Sequence, residues 1–142
     1  MGTVTDCLIC QKHDGILAPP PGGYIYEDPH WRVCHASTTQ GSLGTLVIES
    51  KRHFLDYEAM TPDEAAAYGA LLPRLYVVLK PLTGAERIYH LVLLEGLSHF
   101  HAWLVPRPFN SPENGLAFLN MDRSCDEYQA QRMAADLRAA LS

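Results

Sequence analysis

The chain lacks any apolar run long enough to cross a bilayer. Its strongest, such as Leu91 to Leu94, fall far short of the roughly 20 residues a spanning helix needs. It also lacks the basic stretch followed by an apolar segment that marks a secretory leader, so a cytoplasmic setting is expected. Positive charge is in deficit: 11 Lys and Arg stand against 16 Asp and Glu, a formal net charge of -5. That balance argues against a dedicated binder of nucleic-acid polymers, which normally carries a basic face. It leaves room for a single nucleotide, because a few local donors are enough for that. Cysteines are few, at Cys7, Cys10, Cys34 and Cys125, and only the first two are spaced as a pair. One such pair in a cytosolic chain points to metal or redox chemistry, not to a stapled fold. No internal repeat and no domain boundary is visible.

What is present describes one α+β domain. With 142 residues, 47% of them hydrophobic, the chain can bury a core without staples. Residues 1–23 read as an arm that carries the Cys7/Cys10 pair and ends in Pro19-Pro20-Pro21-Gly22-Gly23. That run fits neither a helix nor a central strand. Tyr24 to Glu27 and Trp31 to Ala36 read as a hairpin across Asp28-Pro29-His30, and Leu43 to Glu49 as a third strand. Thr61, Pro62 and Glu64 mark the start of a long helix with a capping box. Tyr68, Leu71, Leu72, Leu75, Tyr76 and Leu79 give it one apolar face. Pro73 is expected to kink or split this helix, and Pro81 and Gly84 to end it. Ile88 to Leu94 and His99 to Val105 read as antiparallel neighbours, the second ended by Pro106. A last helix is expected from Ser124, with Glu127 completing its capping box and Tyr128, Met133, Leu137 and Leu141 on its apolar face.

Seven histidines are the unusual feature, and two of them, His99 and His101, sit two apart in one apolar run. Side chains alternate across a strand, so His99, His101 and Trp103 share one face while Phe100, Ala102 and Leu104 share the other. A neutral imidazole is available near pH 7 and can attack through one nitrogen while the other donates to a fixed acceptor.

The segment His99-Phe100-His101-Ala102-Trp103-Leu104-Val105-Pro106-Arg107 resembles the histidine-triad (HIT) motif, in which alternate histidines precede Pro-Arg. Upstream, Gly44-Thr45-Leu46-Val47-Ile48 with Lys51-Arg52-His53 resembles the family's strand ending in Pro-Lys-Arg-His. Cys7-Leu8-Ile9-Cys10 resembles the zinc arm of many bacterial members. The resemblance spans some three-quarters of the chain. It implies a HIT-like α+β fold of about five mostly antiparallel strands with a long helix and a C-terminal helix, and a homodimer. It implies nucleotide hydrolysis or nucleotidyl transfer on a nucleotide conjugate or dinucleoside polyphosphate. His101 holds the middle position, whose imidazole attacks the α-phosphorus to give a nucleotidyl-histidine. By the same resemblance a structural zinc would take Cys7, Cys10, His53 and His99. His13, His30 and His35 are rival ligands, and Cys34 and Cys125 read as buried or incidental.

Two places depart from the motif. Trp103 stands where the third histidine belongs; its indole only donates, so it stacks on a base or closes the pocket. The loop Leu94-Glu95-Gly96-Leu97-Ser98 is shorter than usual, with Leu94 about where an Asn is expected, leaving Ser98 as the hydroxyl for a phosphate. These departures keep two alternatives open: a nucleotide-binding protein with little turnover, and a zinc-stabilised interaction module. Lys51, Arg52 and Arg107 read as solvated or structural, His90 equally as a core or a site residue, and Tyr24, Tyr26 and Trp31 as an aromatic cluster of the hairpin.

Overall fold

The computed structural model describes residues 6–142. A five-stranded antiparallel sheet forms from β1 (Tyr26–Glu27), β2 (Trp31–His35), β3 (Leu46–Ser50), β4 (Ala85–Leu91) and β5 (His101–Pro108), in the order β1-β2-β3-β5-β4. β5 therefore lies between β3 and β4, and β4 is an open edge. The helices are α1 (Leu8–His13), α2 (Pro62–Thr83), α3 (Gly115–Leu119) and α4 (Glu127–Leu141).

Alternation along the strands divides the sheet into two unlike faces. Trp31, Val33, Leu46, Ile48, Ala102 and Leu104 point inward, where Tyr68, Leu71, Leu75 and Leu79 of α2 and Met133, Ala134 and Leu137 of α4 cover them. Phe54 and Phe100 stack at 5.3 Å between ring centres, and Trp31 meets Phe100 edge-on at 5.6 Å. The Trp31 indole donates to the Glu64 carbonyl at 3.0 Å, which ties the sheet to the first turn of α2. Arg32, Cys34, Val47, Glu49, His101 and Trp103 have the opposite parity and form the outer face.

The start of α2 is as the spacing predicts, with both halves of the Thr61/Glu64 capping box formed. Pro73, however, neither splits nor ends it: the helix runs unbroken for 22 residues. Pro73 and Gly69 both face solvent, so the carbonyl that proline leaves without a donor is free to bind water. Pro81 is carried inside the last turn, and Gly84 alone ends the helix, in the left-handed region at φ 68.

Four other expectations need correction. The expected Ile88–Leu94 strand is shifted to Ala85–Leu91, and β5 begins at His101, not His99, and continues through Pro106 to Pro108. Pro106 pairs with Ile88 of β4 where β3 has already begun at Leu46, so β5 is paired on one side only, a position that tolerates proline. The last helix is capped by Asp126, whose carboxylate accepts from Gln129, and not by Ser124 with Glu127. Its buried face uses Ala130 and Ala134 with Met133 and Leu137, while Tyr128 is exposed. Within the arm, Leu8–His13 form α1.

Candidate metal centre and reactive histidine

Four side chains from three distant parts of the chain converge at one end of the sheet. Cys7 caps α1 and its sulfur accepts the Cys10 N–H, which turns both thiols the same way. His53 follows β3, and its neighbour Arg52 is gripped by Glu64 of α2 through two nitrogens at 2.9 and 2.8 Å. Arg52 is thus no free surface charge; it fixes the segment that presents His53. His99 lies just before β5, wholly buried.

The ligand atoms of Cys7, Cys10, His53 and His99 all lie within 4.8 Å of one another. Cys7 Sγ is 3.3 Å from His99 Nδ1, Cys10 Sγ is 3.5 and 3.6 Å from the Nδ1 atoms of His53 and His99, and the two Nδ1 atoms are 3.1 Å apart. A tetrahedron with ordinary zinc bond lengths puts sulfur and nitrogen about 3.5 Å apart and two nitrogens about 3.3 Å apart. The donor set fits zinc in type, number and spacing. His99 is prepared for this role, since its Nε2–H donates to the Ser50 carbonyl at 2.7 Å and leaves the Nδ1 lone pair facing the cluster. Burial holds its pKa down at about 4, which keeps it neutral, the form a metal needs.

The rival histidines are placed elsewhere. His35 donates from Nδ1 to the Ala36 carbonyl and accepts the Gly44 N–H on Nε2, so both nitrogens are occupied. His13 bonds Glu49 at 2.9 Å. His30 lies in the β1–β2 turn and is not one of the four.

His101 carries the opposite tautomer to His99. Its Nδ1–H donates to the backbone carbonyl of His99 at 2.8 Å, which orients the ring and leaves Nε2 with a free lone pair. It is 5% exposed. Trp103 stands beside it on the same face, ring centres 6.5 Å apart, half-buried against Cys34, Ala36 and Val47. Ser98 is exposed and lines a cavity of about 380 Å³ with Cys7, His53 and Gly96; it borders the metal cluster.

One site residue was not foreseen. Glu49, 2% exposed, sits opposite His101 across the β3–β5 ladder. Its carboxylate accepts from Lys12 Nζ at 2.7 Å, His13 Nε2 at 2.9 Å and the Tyr24 hydroxyl at 2.9 Å, so three residues of the arm and the segment after it meet on one strand residue. Burial opposes its charge, but the His13 hydrogen bond and Lys12 outweigh it and hold the carboxyl at about 2. Cys34 lies beneath, 3.3 Å from Lys12 Nζ, and burial pushes its thiol up to about 12. The available signal was a carboxylate on the hydrophobic strand Leu46-Val47-Ile48-Glu49, where its parity puts it on the same face as His101. Elsewhere, Arg107 pairs with Glu86 at 3.0 Å, Lys51 with Glu27 at 2.5 Å, and His90 with the Tyr68 hydroxyl at 2.5 Å.

No protein-family model matches the sequence, and no curated protein matches it. Solved structures do. A histidine-triad nucleotide-binding protein of Sulfolobus tokodaii superposes with a TM-score of 0.75 at 15% identity, over 95% of this chain and 91% of that one. A zinc-bound histidine-triad family protein of Mycobacterium smegmatis superposes at 0.74 with 22% identity, over 99% and 95%. A Hit-like protein of Bartonella henselae, described as involved in cell-cycle regulation, gives 0.74 at 12% identity over 99% of both chains. What this chain shares with them is the histidine-triad fold.

Proposed function

We propose that this chain binds a nucleotide or nucleotide conjugate and hydrolyses it, or transfers its nucleotidyl group, through a covalent bond to His101. The observation that carries the reading is the tautomer of His101. With Nδ1–H committed to the His99 carbonyl, Nε2 is the nucleophilic atom and the ring is held in one orientation. The N–P bond forms as the bond from the α-phosphorus to the leaving group breaks, and the leaving group departs with the electron pair. Water or another acceptor then cleaves the N–P bond and restores the imidazole. Ser98 and Trp103 are the proposed contacts for phosphate and base.

The same reading gives zinc to Cys7, Cys10, His53 and His99. With four protein ligands the ion would be coordinatively full, so it would supply a cross-link between arm and sheet, and no open position for substrate. His99 then serves the metal through Nδ1 while its backbone carbonyl serves His101. We further propose a cytoplasmic homodimer of chains 1–142, to be checked by sedimentation.

A specific observation favours nucleotide binding with little turnover as the second reading: Trp103 offers no relay for a proton, and His101 is nearly enclosed. The test is incubation with dinucleoside polyphosphates and nucleoside phosphoramidates, followed by intact mass and product analysis. A nucleotidyl adduct that disappears in His101→Ala is the expected result. Tight binding with neither adduct nor product defeats the enzymatic reading and supports the second. Zinc content should fall in His53→Ala; full occupancy there would place a ligand elsewhere.

A further inference from the structure

A Cys-x-x-Cys pair suits redox chemistry as well as a metal, and the two thiols of this one are placed unalike. Cys7 is the less buried of them and lines the cavity of about 380 Å³, together with Leu8, His53, Gly96, Leu97 and Ser98. Cys10, 7% exposed, lies one helical turn further in and is not among the walls of that cavity. The two sulfurs lie within 4.8 Å of each other, and the Cys10 N–H reaches Cys7 Sγ at 3.4 Å. Rotation about the two Cα–Cβ bonds can close that gap, because the spacing sets both thiols on one side of a single turn.

The other cysteines are poorly prepared for the same reagents. Cys34 is wholly buried, and burial pushes its thiol up to about 12. Cys125 is raised in the same direction, by burial first and then by Glu127 and Asp126. A thiol held protonated is a weak nucleophile, whereas one that serves a metal is held as the thiolate. Oxidation also needs access, and within the cluster it is Cys7 that has a cavity beside it. His99 connects the pair to the reactive histidine. Both sulfurs approach its Nδ1, at 3.3 and 3.6 Å, and its backbone carbonyl orients His101.

We propose that Cys7 is an oxidation site for hydroperoxides, that Cys10 is its resolving thiol, and that the disulfide they form discharges the metal. This rests on the assignment of zinc to Cys7, Cys10, His53 and His99. With hydrogen peroxide, the Cys7 thiolate attacks one oxygen and the O–O bond breaks, giving a sulfenic acid and hydroxide. The Cys10 thiolate then attacks the Cys7 sulfur. The S–S bond forms as the S–O bond breaks, and a second hydroxide leaves. Two thiolates have lost two electrons, and one peroxide has been reduced by two. The disulfide removes two of the four ligands, and His53 and His99 alone do not complete a tetrahedron. A thiol reductant cleaves the bond and reopens the site.

The zinc-loaded full-length protein is treated with hydrogen peroxide beside a chromogenic zinc chelator, against a peroxide-free control, and its cysteines are mapped by peptide mass. Expected is one zinc released for each Cys7–Cys10 disulfide, both at one rate, with Cys34 and Cys125 still reduced. Histidine can replace cysteine as a zinc ligand, so Cys7→His and Cys10→His keep four donors while each removes one thiol. Cys7→His should slow the release about tenfold or more. Cys10→His should leave a sulfenic acid on Cys7, which dimedone traps. Should either variant fail to take up zinc, the wild-type mapping decides alone. A loaded protein that keeps its zinc under peroxide, or loses it with both thiols still free, overturns the proposal. Dimedone on Cys10 of Cys7→His, with none on Cys7 of Cys10→His, overturns the roles. A chain that takes up no zinc defeats the metal assignment and the discharge with it, while a Cys7–Cys10 disulfide formed there still marks the oxidation site.

Discussion

The two faces of the sheet use opposite chemistry to hold what lies on them. On the inner face Trp31, Phe54, Phe100 and the leucines of α2 exclude water, and their attraction is undirected and insensitive to pH. On the outer face a single carboxylate, Glu49, gathers an ammonium, an imidazole and a phenol, and four ligand atoms converge beside them. Apolar packing is lost only when the fold is lost. A polar fastening can be released alone, because water replaces each bond it gives up. The inner face is therefore held by packing that spreads over many residues, and the outer face by bonds that each depend on one named partner.

That division can be broken or sharpened by experiment. The largest expected effect is chemical: His101→Ala should abolish any nucleotidyl adduct while leaving the melting temperature near that of wild type, which intact mass and calorimetry would show. Next is the inner face. Trp31→Ala should cost about 3–5 kcal/mol and lower the melting temperature by roughly 10–20 °C, since it empties the centre of the aromatic cluster. A small shift there would mean the core closes around the gap.

On the outer face the expected changes are smaller and depend on pH. Glu49→Gln should cost about 2 kcal/mol at neutral pH by denaturant titration. The folded carboxyl is held at about 2, below the ordinary value of 4.5, so its contribution is fully present above about pH 4.5 and is lost as pH falls towards 2. The gap between wild type and Glu49→Gln should accordingly close over that window, and a constant gap would show that the carboxylate charge is not what stabilises. The smallest effect expected is Arg52→Lys, about 1 kcal/mol, because lysine cannot reproduce the two-pronged grip on Glu64 beside His53.

The inner face was legible in the sequence because its signals are local and repetitive. Alternation in Phe100-Ala102-Leu104, helical spacing from Tyr68 to Leu79 and the Thr61/Glu64 box each depend on near neighbours, and each is realised. Proline was misread twice, at Pro73 and Pro106, for one reason. Its missing N–H matters only where a partner was required, and solvent at one site and a one-sided ladder at the other remove the requirement. The four-residue cluster was anticipated through motif resemblance, since no spacing rule links Cys7 to His53. Glu49 was missed because its meaning lies in Lys12, His13 and Tyr24, which reach it from 25 to 37 positions away.

That distance along the chain has a consequence for the order of events during synthesis. The first sulfur and the last imidazole of the cluster are 92 positions apart, and the imidazole stands immediately before β5. The two thiols leave the ribosome early and wait, unable to complete a tetrahedron, until β3 and the approach to β5 have been made and paired. An ion held by all four residues would span those 92 positions, so the complete tetrahedron depends on the long-range contacts that bring His99 to the arm. Were zinc bound by all four side chains, full occupancy would report that the two ends of that span had met.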